Sequence, residues 1–171
     1  MRSLRRAILL TSLFVLCVPG TVVVLVPYLL TGWRSQEPFG GWDGTRWMGV
    51  ALALFGLPLL ADAIARFALV GRGTPAPIAP TERLVITGPY RFVRNPMYVG
   101  VAALVTGQAL WLGSYGVLIY AGCLAVSFDA FIRLYEEPTL RRTYGAPYET
   151  YCRHVRRWIP RLVPYTPESA D

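Results

Sequence analysis

Four apolar stretches, bounded by arginine, glycine or proline, leave this chain few ways to fold. They run over about residues 4–30, 46–70, 97–112 and 115–135. A hydrocarbon layer about 30 Å thick needs roughly 20 apolar residues in a helix, whose backbone polar groups are satisfied within the segment. The stretch 97–112 is short for that, so its ends or Pro96 must lie near the interface. Gly113-Ser114 leaves room only for a tight turn, so the last two stretches read as a helical hairpin. Composition agrees. Of 171 residues, 54% are hydrophobic and 16% charged, against about 25% charged in a soluble domain. The expectation is an all-α integral membrane protein with about four transmembrane helices, forming one domain.

The first stretch follows Arg2, Arg5 and Arg6, as the core of a signal peptide would. Here the apolar run continues past Pro19-Gly20 and no A-x-A cleavage site closes it, so a retained helix kinked at Pro19 is the reading. Residues 31–45 form a loop whose flanking Trp33, Trp42 and Trp47 suit an interface. Residues 71–96 contain Pro75, Pro77, Pro80, Pro89 and Pro96, which exclude a long helix. A loop of that length is functional, disordered or a mere linker.

Arginine sets the orientation. Arg66, Arg72, Arg83, Arg91 and Arg94 cluster in and before the second loop, and six arginines follow the fourth stretch, whereas the loop 31–45 carries Arg34 only. Positive charge marks the cytoplasmic side, so both termini and the loop 71–96 are expected there. All 17 basic residues are arginine, which hints at a bacterial host and hence an inner membrane. The net charge of +7 is read as topology signals and headgroup contacts rather than nucleic-acid binding, since no reader motif is present. Cys17, Cys123 and Cys152 are scattered without metal-ligand spacing, and His154 is the only histidine. No metal site is expected, and a Ser-His-Asp triad is discounted.

Ionisable residues interrupt two of the apolar stretches. Asp62 and Arg66 are four apart and can pair on one helix face. Asp129, Arg133 and Glu137 form an i, i+4, i+8 series with Glu136 beside them. Each such group costs about 2.5–3.5 kcal/mol at a bilayer centre and less near its edge. Pairing lowers that cost, yet Arg133 faces more carboxylates than it can neutralise. A surplus acid can receive an ammonium or sulfonium, and the arginine can hold a carboxylate or phosphate. Beyond Pro138, TLRRTY and then APYETYCRHVRRW read as short helices capping the cytoplasmic face, with Tyr144, Tyr148 and Tyr151 at helical spacing. Arg153, Arg156 and Arg157 are expected to face headgroups.

The block ERLVITGPYRFVRNPMYVG, then a hairpin, then RLYEEPTLRRTYGAPYETYCRHVRRWIPR, resembles the isoprenylcysteine carboxyl methyltransferases and related phospholipid methyltransferases. The likeness covers roughly residues 80–161. It implies a small helical membrane enzyme without a Rossmann domain; the two N-terminal helices expected over 1–70 match only as generic membrane helices, and a methyltransferase-like core follows over 71–171. That core divides into the cytoplasmic loop 71–96, the hairpin 97–135 and the cytoplasmic cap 136–171. The resemblance implies that S-adenosylmethionine is held by Glu82, Arg83, Leu84, Val85, Tyr90, Asn95, Pro96, Met97, Tyr98 and Glu137. It implies that Arg133 faces a lipid-like methyl acceptor. Asn95 and Glu82 stand where the family often has histidine. Asn95 can still donate and accept hydrogen bonds but cannot titrate near neutrality.

The resulting expectation is methyl transfer from S-adenosylmethionine to a membrane-embedded acceptor, with carboxyl O-methylation favoured because a carboxylate needs no base. Arg133 and Asn95 are the expected catalytic residues. Two rivals stand beside it. One is an NADPH-dependent lipid or sterol reductase, with Arg91, Arg94, Arg141 and Arg142 available to a 2′-phosphate. The other is a non-enzymatic scaffold whose basic face binds anionic lipid. The sequence names neither the acceptor nor the oligomeric state.

Overall fold

A computed structural model describes residues 17–69 and 84–167, apart from the side chains of 67–69. Among these residues the structure is helical, without strands. A π-turn, Thr21–Leu25, runs into α1, Val26–Thr31. Next come α2, Gly44–Leu69, and α3, Pro96–Leu112. The chain then forms α4, Tyr115–Phe131, a second π-turn, Ile132–Glu136, and α5, Glu137–Tyr144. A last helix, α6, spans Ala146–His154. The helical stretch that begins at Tyr115 therefore continues to Tyr144 rather than stopping near residue 135. Pro138 follows the π-turn inside this continuous helix and has no N–H to give to the ladder.

Two described segments are long and apolar enough to cross a membrane: Gly44–Arg66 and Tyr115–Tyr144. Only 22% and 17% of their most apolar windows are buried within the fold, which leaves their surfaces for lipid rather than for a protein core. Thr21–Thr31 and Pro96–Leu112 are shorter apolar helices.

The tightest packing is between α2 and α3, and glycine makes it possible. A Cβ on Gly49 would lie 2.5 Å from the carbonyl oxygen of Gly107, and one on Gly107 would lie 2.7 Å from that of Gly49. One turn-pair further along, Gly56 and Gly100 meet in the same way, at 2.8 and 3.0 Å from each other's carbonyl oxygen. The obstacles are backbone atoms, which cannot swing aside. Small residues at such contacts let helix backbones approach where no hydrophobic force drives association in lipid. The core of Leu60, Val101, Leu104, Val105, Ala109, Val117 and Ala121 closes around this seam.

The N-terminal segment is tied on by polar contacts. A π-turn leaves carbonyls displaced from the regular ladder. The Gln108 side-chain N–H donates to the Val23 carbonyl at 2.9 Å, and the Tyr120 hydroxyl donates to that of Val22 at 3.1 Å. At the hairpin tip, Ser114 caps α4 by accepting from the Val117 N–H, and Gly113 takes the left-handed conformation at φ 66°. A side chain there would meet the Glu37 carbonyl of the Trp-rich loop.

Candidate functional site

Residues 84–95 form an irregular segment between α2 and α3, locked from two sides. Gly88 has φ 54°, and the Arg66 guanidinium occupies the space a Cβ would need. Arg66 is itself held by Asp62 through a hydrogen bond of 2.8 Å. The expected pair exists, and it ties α2 to this segment. On the other side the C-terminal tail straps the segment down. The Arg94 N–H donates to the Arg156 carbonyl, Arg161 to Phe92 and Tyr165 to Arg91, at 2.9–3.0 Å. Arg91 returns the contact through Nε to the Tyr165 carbonyl at 2.6 Å and Nη2 to the Thr166 hydroxyl at 2.7 Å. Tyr151, buried on α6, donates its hydroxyl to the Tyr90 carbonyl at 2.6 Å.

The second π-turn rearranges the charges. In a regular helix Arg133 and Glu137 would share a face. The wide turn instead closes with the Glu137 N–H on the Ile132 carbonyl, which shifts the helical phase from residue 137 onward. Among the described residues Arg133 pairs with Asp129 alone, Nε to Oδ2 at 2.6 Å. The Trp158 indole N–H takes the other oxygen of Asp129 at 2.9 Å. The expected three-residue series is thus corrected to one pair. Among the described residues the two terminal nitrogens of Arg133 have no hydrogen-bond partner, and its side chain is 57% exposed.

Glu137 is turned inward and is 4% exposed. Arg157 grips it with two hydrogen bonds of 2.8 and 2.9 Å, and Arg94 and Arg141 stand 3.3 and 3.6 Å away. The inward turn of Arg157 corrects the expectation that it faces headgroups: a buried carboxylate needs a planar, bidentate partner. Hydrogen bonding to Glu137 raises the Arg157 pKa, so the guanidinium stays charged. Arg153 and Arg156 remain exposed.

The other expected site residues divide as follows. Val85, Tyr90 and Met97 pack together with Ala63 under the segment. Leu84 packs instead against the tyrosines of α6. Asn95 is buried at the N-terminus of α3, followed by buried Pro96 at its first position. The Asn95 amide N–H donates to the Arg157 carbonyl at 3.2 Å, leaving its oxygen without a partner among the described residues. Tyr98 donates its hydroxyl to Glu136 at 2.7 Å and sets its ring edge-on against Phe128 at 4.8 Å. Glu82 and Arg83 lie outside the described residues.

Burial pushes the Tyr90 hydroxyl well above its ordinary pKa, and the charge of Glu136 adds to the push. Burial likewise raises Tyr151 and Tyr148. These tyrosines are neutral at physiological pH and act as hydrogen-bonding aromatic walls, not as bases.

Residues 45–147 fit the profile of the phospholipid methyltransferases. The chain belongs to that family. No curated protein and no solved structure matches the chain. The family includes isoprenylcysteine carboxyl methyltransferase-like membrane methyltransferases, in agreement with the resemblance carried by residues 80–161. The phospholipid methyltransferase match starts in α2, contains the 84–98 segment, the hairpin and the RLYEE turn, and ends in the first turn of α6.

Arg157 and Trp158 lie beyond the matched residues, and sequence reasoning gave neither a place in the site. Their partners are 20 and 29 positions away, so no local spacing signals them.

Proposed function

We propose that this phospholipid methyltransferase family member transfers a methyl group from S-adenosylmethionine to a lipid-like acceptor in the bilayer, with carboxyl O-methylation favoured. The observation that carries the reading is the division of labour at the second π-turn. Arg133 is exposed, with two guanidinium nitrogens unpaired among the described residues, while the carboxylates of Glu136 and Glu137 turn toward α3 and the 84–98 segment. An anionic acceptor and a cationic cofactor demand opposite charges close together, and this turn supplies both.

The residues fit such a cofactor in kind. Val85, Tyr90 and Met97 form an apolar and aromatic bed. Asn95 and Tyr98 add polar groups fixed by hydrogen bonds to protein partners. In this reading Leu84, Val85, Tyr90, Asn95, Pro96, Met97 and Tyr98 line the cofactor site together with Glu82 and Arg83, and Glu137 closes it. Bound S-adenosylmethionine supplies a methyl carbon on a sulfonium, and its transfer to a carboxylate oxygen makes one C–O bond, breaks one C–S bond and moves no proton. Asn95 therefore has no proton to take and serves to position. Arg133 holds the anionic end of the acceptor, and the fold contributes alignment, which is the larger part of such a displacement.

The same reading takes α1 with its preceding turn, α2, α3 and α4 as four spans, with both termini and the cap on the cytoplasmic side. Acceptors enter from the bilayer and cofactor from the cytoplasm. The rival use of Arg91, Arg94, Arg141 and Arg142 for a 2′-phosphate is disfavoured, because Arg91 is engaged by the tail and Arg94 and Arg141 by Glu137. The test is methyl uptake from labelled S-adenosylmethionine into prenylated-cysteine and phospholipid acceptors by detergent-purified protein. Label in a lipid extract supports the proposal. No label with any acceptor, from protein that is folded, opposes it.

A further inference from the structure

The tail that straps down the 84–95 segment keeps polar groups inward and leaves its apolar side chains uncovered. Its inner contacts are the Arg161 and Tyr165 N–H groups on the Phe92 and Arg91 carbonyls, and Arg161 Nη1 on the His154 carbonyl at 2.8 Å. Among these anchors Leu162 is 99% exposed, Val163 66% and Ile159 60%. Pro160 and Pro164 each fix one φ and stiffen the stretch. Exposed apolar side chains grouped in this way mark a surface that something apolar covers.

The position of the strap says what that is. The Trp158 indole donates to Asp129 at 2.9 Å. Asp129 lies about 21 Å along α4 from Tyr115, at about 1.5 Å per residue, and a hydrocarbon layer is about 30 Å thick. The strap therefore leaves α4 at the edge of the layer that Tyr115–Tyr144 is long enough to cross. Its other anchor, Phe92, stands just ahead of Pro96, where α3 begins. At the same end of the long helix, Phe131, Leu134 and Tyr135 are exposed too, so uncovered apolar surface occurs on both helix and strap at this level. Arg153 and Arg156, just ahead of the strap, are exposed, and neither forms an ion pair among the described residues. Unpaired arginines beside apolar side chains complement anionic headgroups above acyl chains. An isologous contact with a second copy would instead gather the same positive charge against itself.

We propose that residues 159–163 form a membrane anchor: Ile159, Leu162 and Val163 enter the leaflet on the side of the cap, and Arg153 and Arg156 hold anionic phospholipid headgroups above them. The bilayer then helps to keep the tail on Arg91 and Phe92, and so to hold the segment that precedes α3. The inference rests on the membrane reading of the fold and is independent of methyl transfer.

Photocrosslinking in nanodiscs of phosphatidylcholine and phosphatidylglycerol in equal amounts tests it. The full chain carries p-benzoylphenylalanine at Leu162, at Val163 or, for reference, at Val126, which is exposed on α4. Mass spectrometry then identifies the adducts. Lipid adducts are expected at all three positions. At Leu162 and Val163, phosphatidylglycerol adducts should exceed phosphatidylcholine adducts at least about twofold, as two arginines near the surface imply. Arg153→Gln with Arg156→Gln should bring that ratio back to about one while the lipid adducts persist. No lipid adduct at Leu162 or Val163, in protein whose Val126 position is labelled, overturns the anchor. Adducts there with a second copy of the chain overturn it in favour of a dimer contact. Equal adducts of the two lipids in the parent chain overturn the assignment of the arginines. No lipid adduct at Val126 either overturns the membrane placement of α4, and this inference with it.

Discussion

Arg157 and Glu137, twenty residues apart in sequence, meet through two parallel hydrogen bonds of 2.8 and 2.9 Å at the junction of the hairpin and the cap. Through Arg94, the same carboxylate reaches the segment that precedes α3. This one ion knot joins three parts of the chain.

Removing Glu137 should therefore cost stability. Glu137→Ala leaves three arginines facing one another, and breaking a buried pair from one side costs about 3–5 kcal/mol. Arg157→Ala should cost less, because Arg94 and Arg141 still neutralise Glu137. Thermal unfolding in detergent checks the order. An Arg157→Ala protein less stable than Glu137→Ala would contradict it.

The glycine seam gives a second prediction. Gly107→Ala forces a methyl group against the Gly49 carbonyl, and Gly56→Ala does the same at Gly100. Each should destabilise by about 1–3 kcal/mol through overpacking. Gly122→Ala on α4, where a Cβ meets nothing within 4 Å, should be neutral or mildly stabilising. Melting temperatures of the three variants compare directly.

Arg133 separates binding from turnover. Arg133→Ala should leave S-adenosylmethionine affinity within about twofold and abolish most methyl transfer to an anionic acceptor, since among the described residues it pairs with Asp129 and with neither Glu136 nor Glu137. Arg133→Lys should restore part of the rate as a point charge without the fork. Wild-type turnover in Arg133→Ala would remove this residue from the acceptor site.

Alkali should act through the buried tyrosines. Burial raises Tyr90 and Tyr151 above their ordinary value of 10.0. Below about pH 10 both folded and unfolded chains carry the phenolic protons, so this contribution is constant. Above it the unfolded chain releases protons that the folded one retains, and stability falls as pH rises. Melting temperature against pH should bend downward near pH 10, and Tyr151→Phe should soften the bend.

Much of this architecture was legible in the residues because its causes are local. Long apolar runs, Gly113-Ser114 between two of them, and Pro147 opening α6 each act within a few residues. The Asp62–Arg66 pair followed from spacing alone. The glycine seam did not, because Gly49, Gly56, Gly100 and Gly107 are scattered until two antiparallel helices align them. Nor did the wide turn at 132–136, which changes no composition yet separates Arg133 from Glu137. The arginine that Glu137 needed came from position 157, beyond the reach of any periodicity.

The central claim is the cofactor. The most direct measurement is S-adenosylmethionine binding to detergent-purified wild type by calorimetry, with NADPH titrated in parallel. The account predicts saturable binding of S-adenosylmethionine and none of NADPH. A folded protein that binds NADPH, or that binds neither nucleotide, would contradict it.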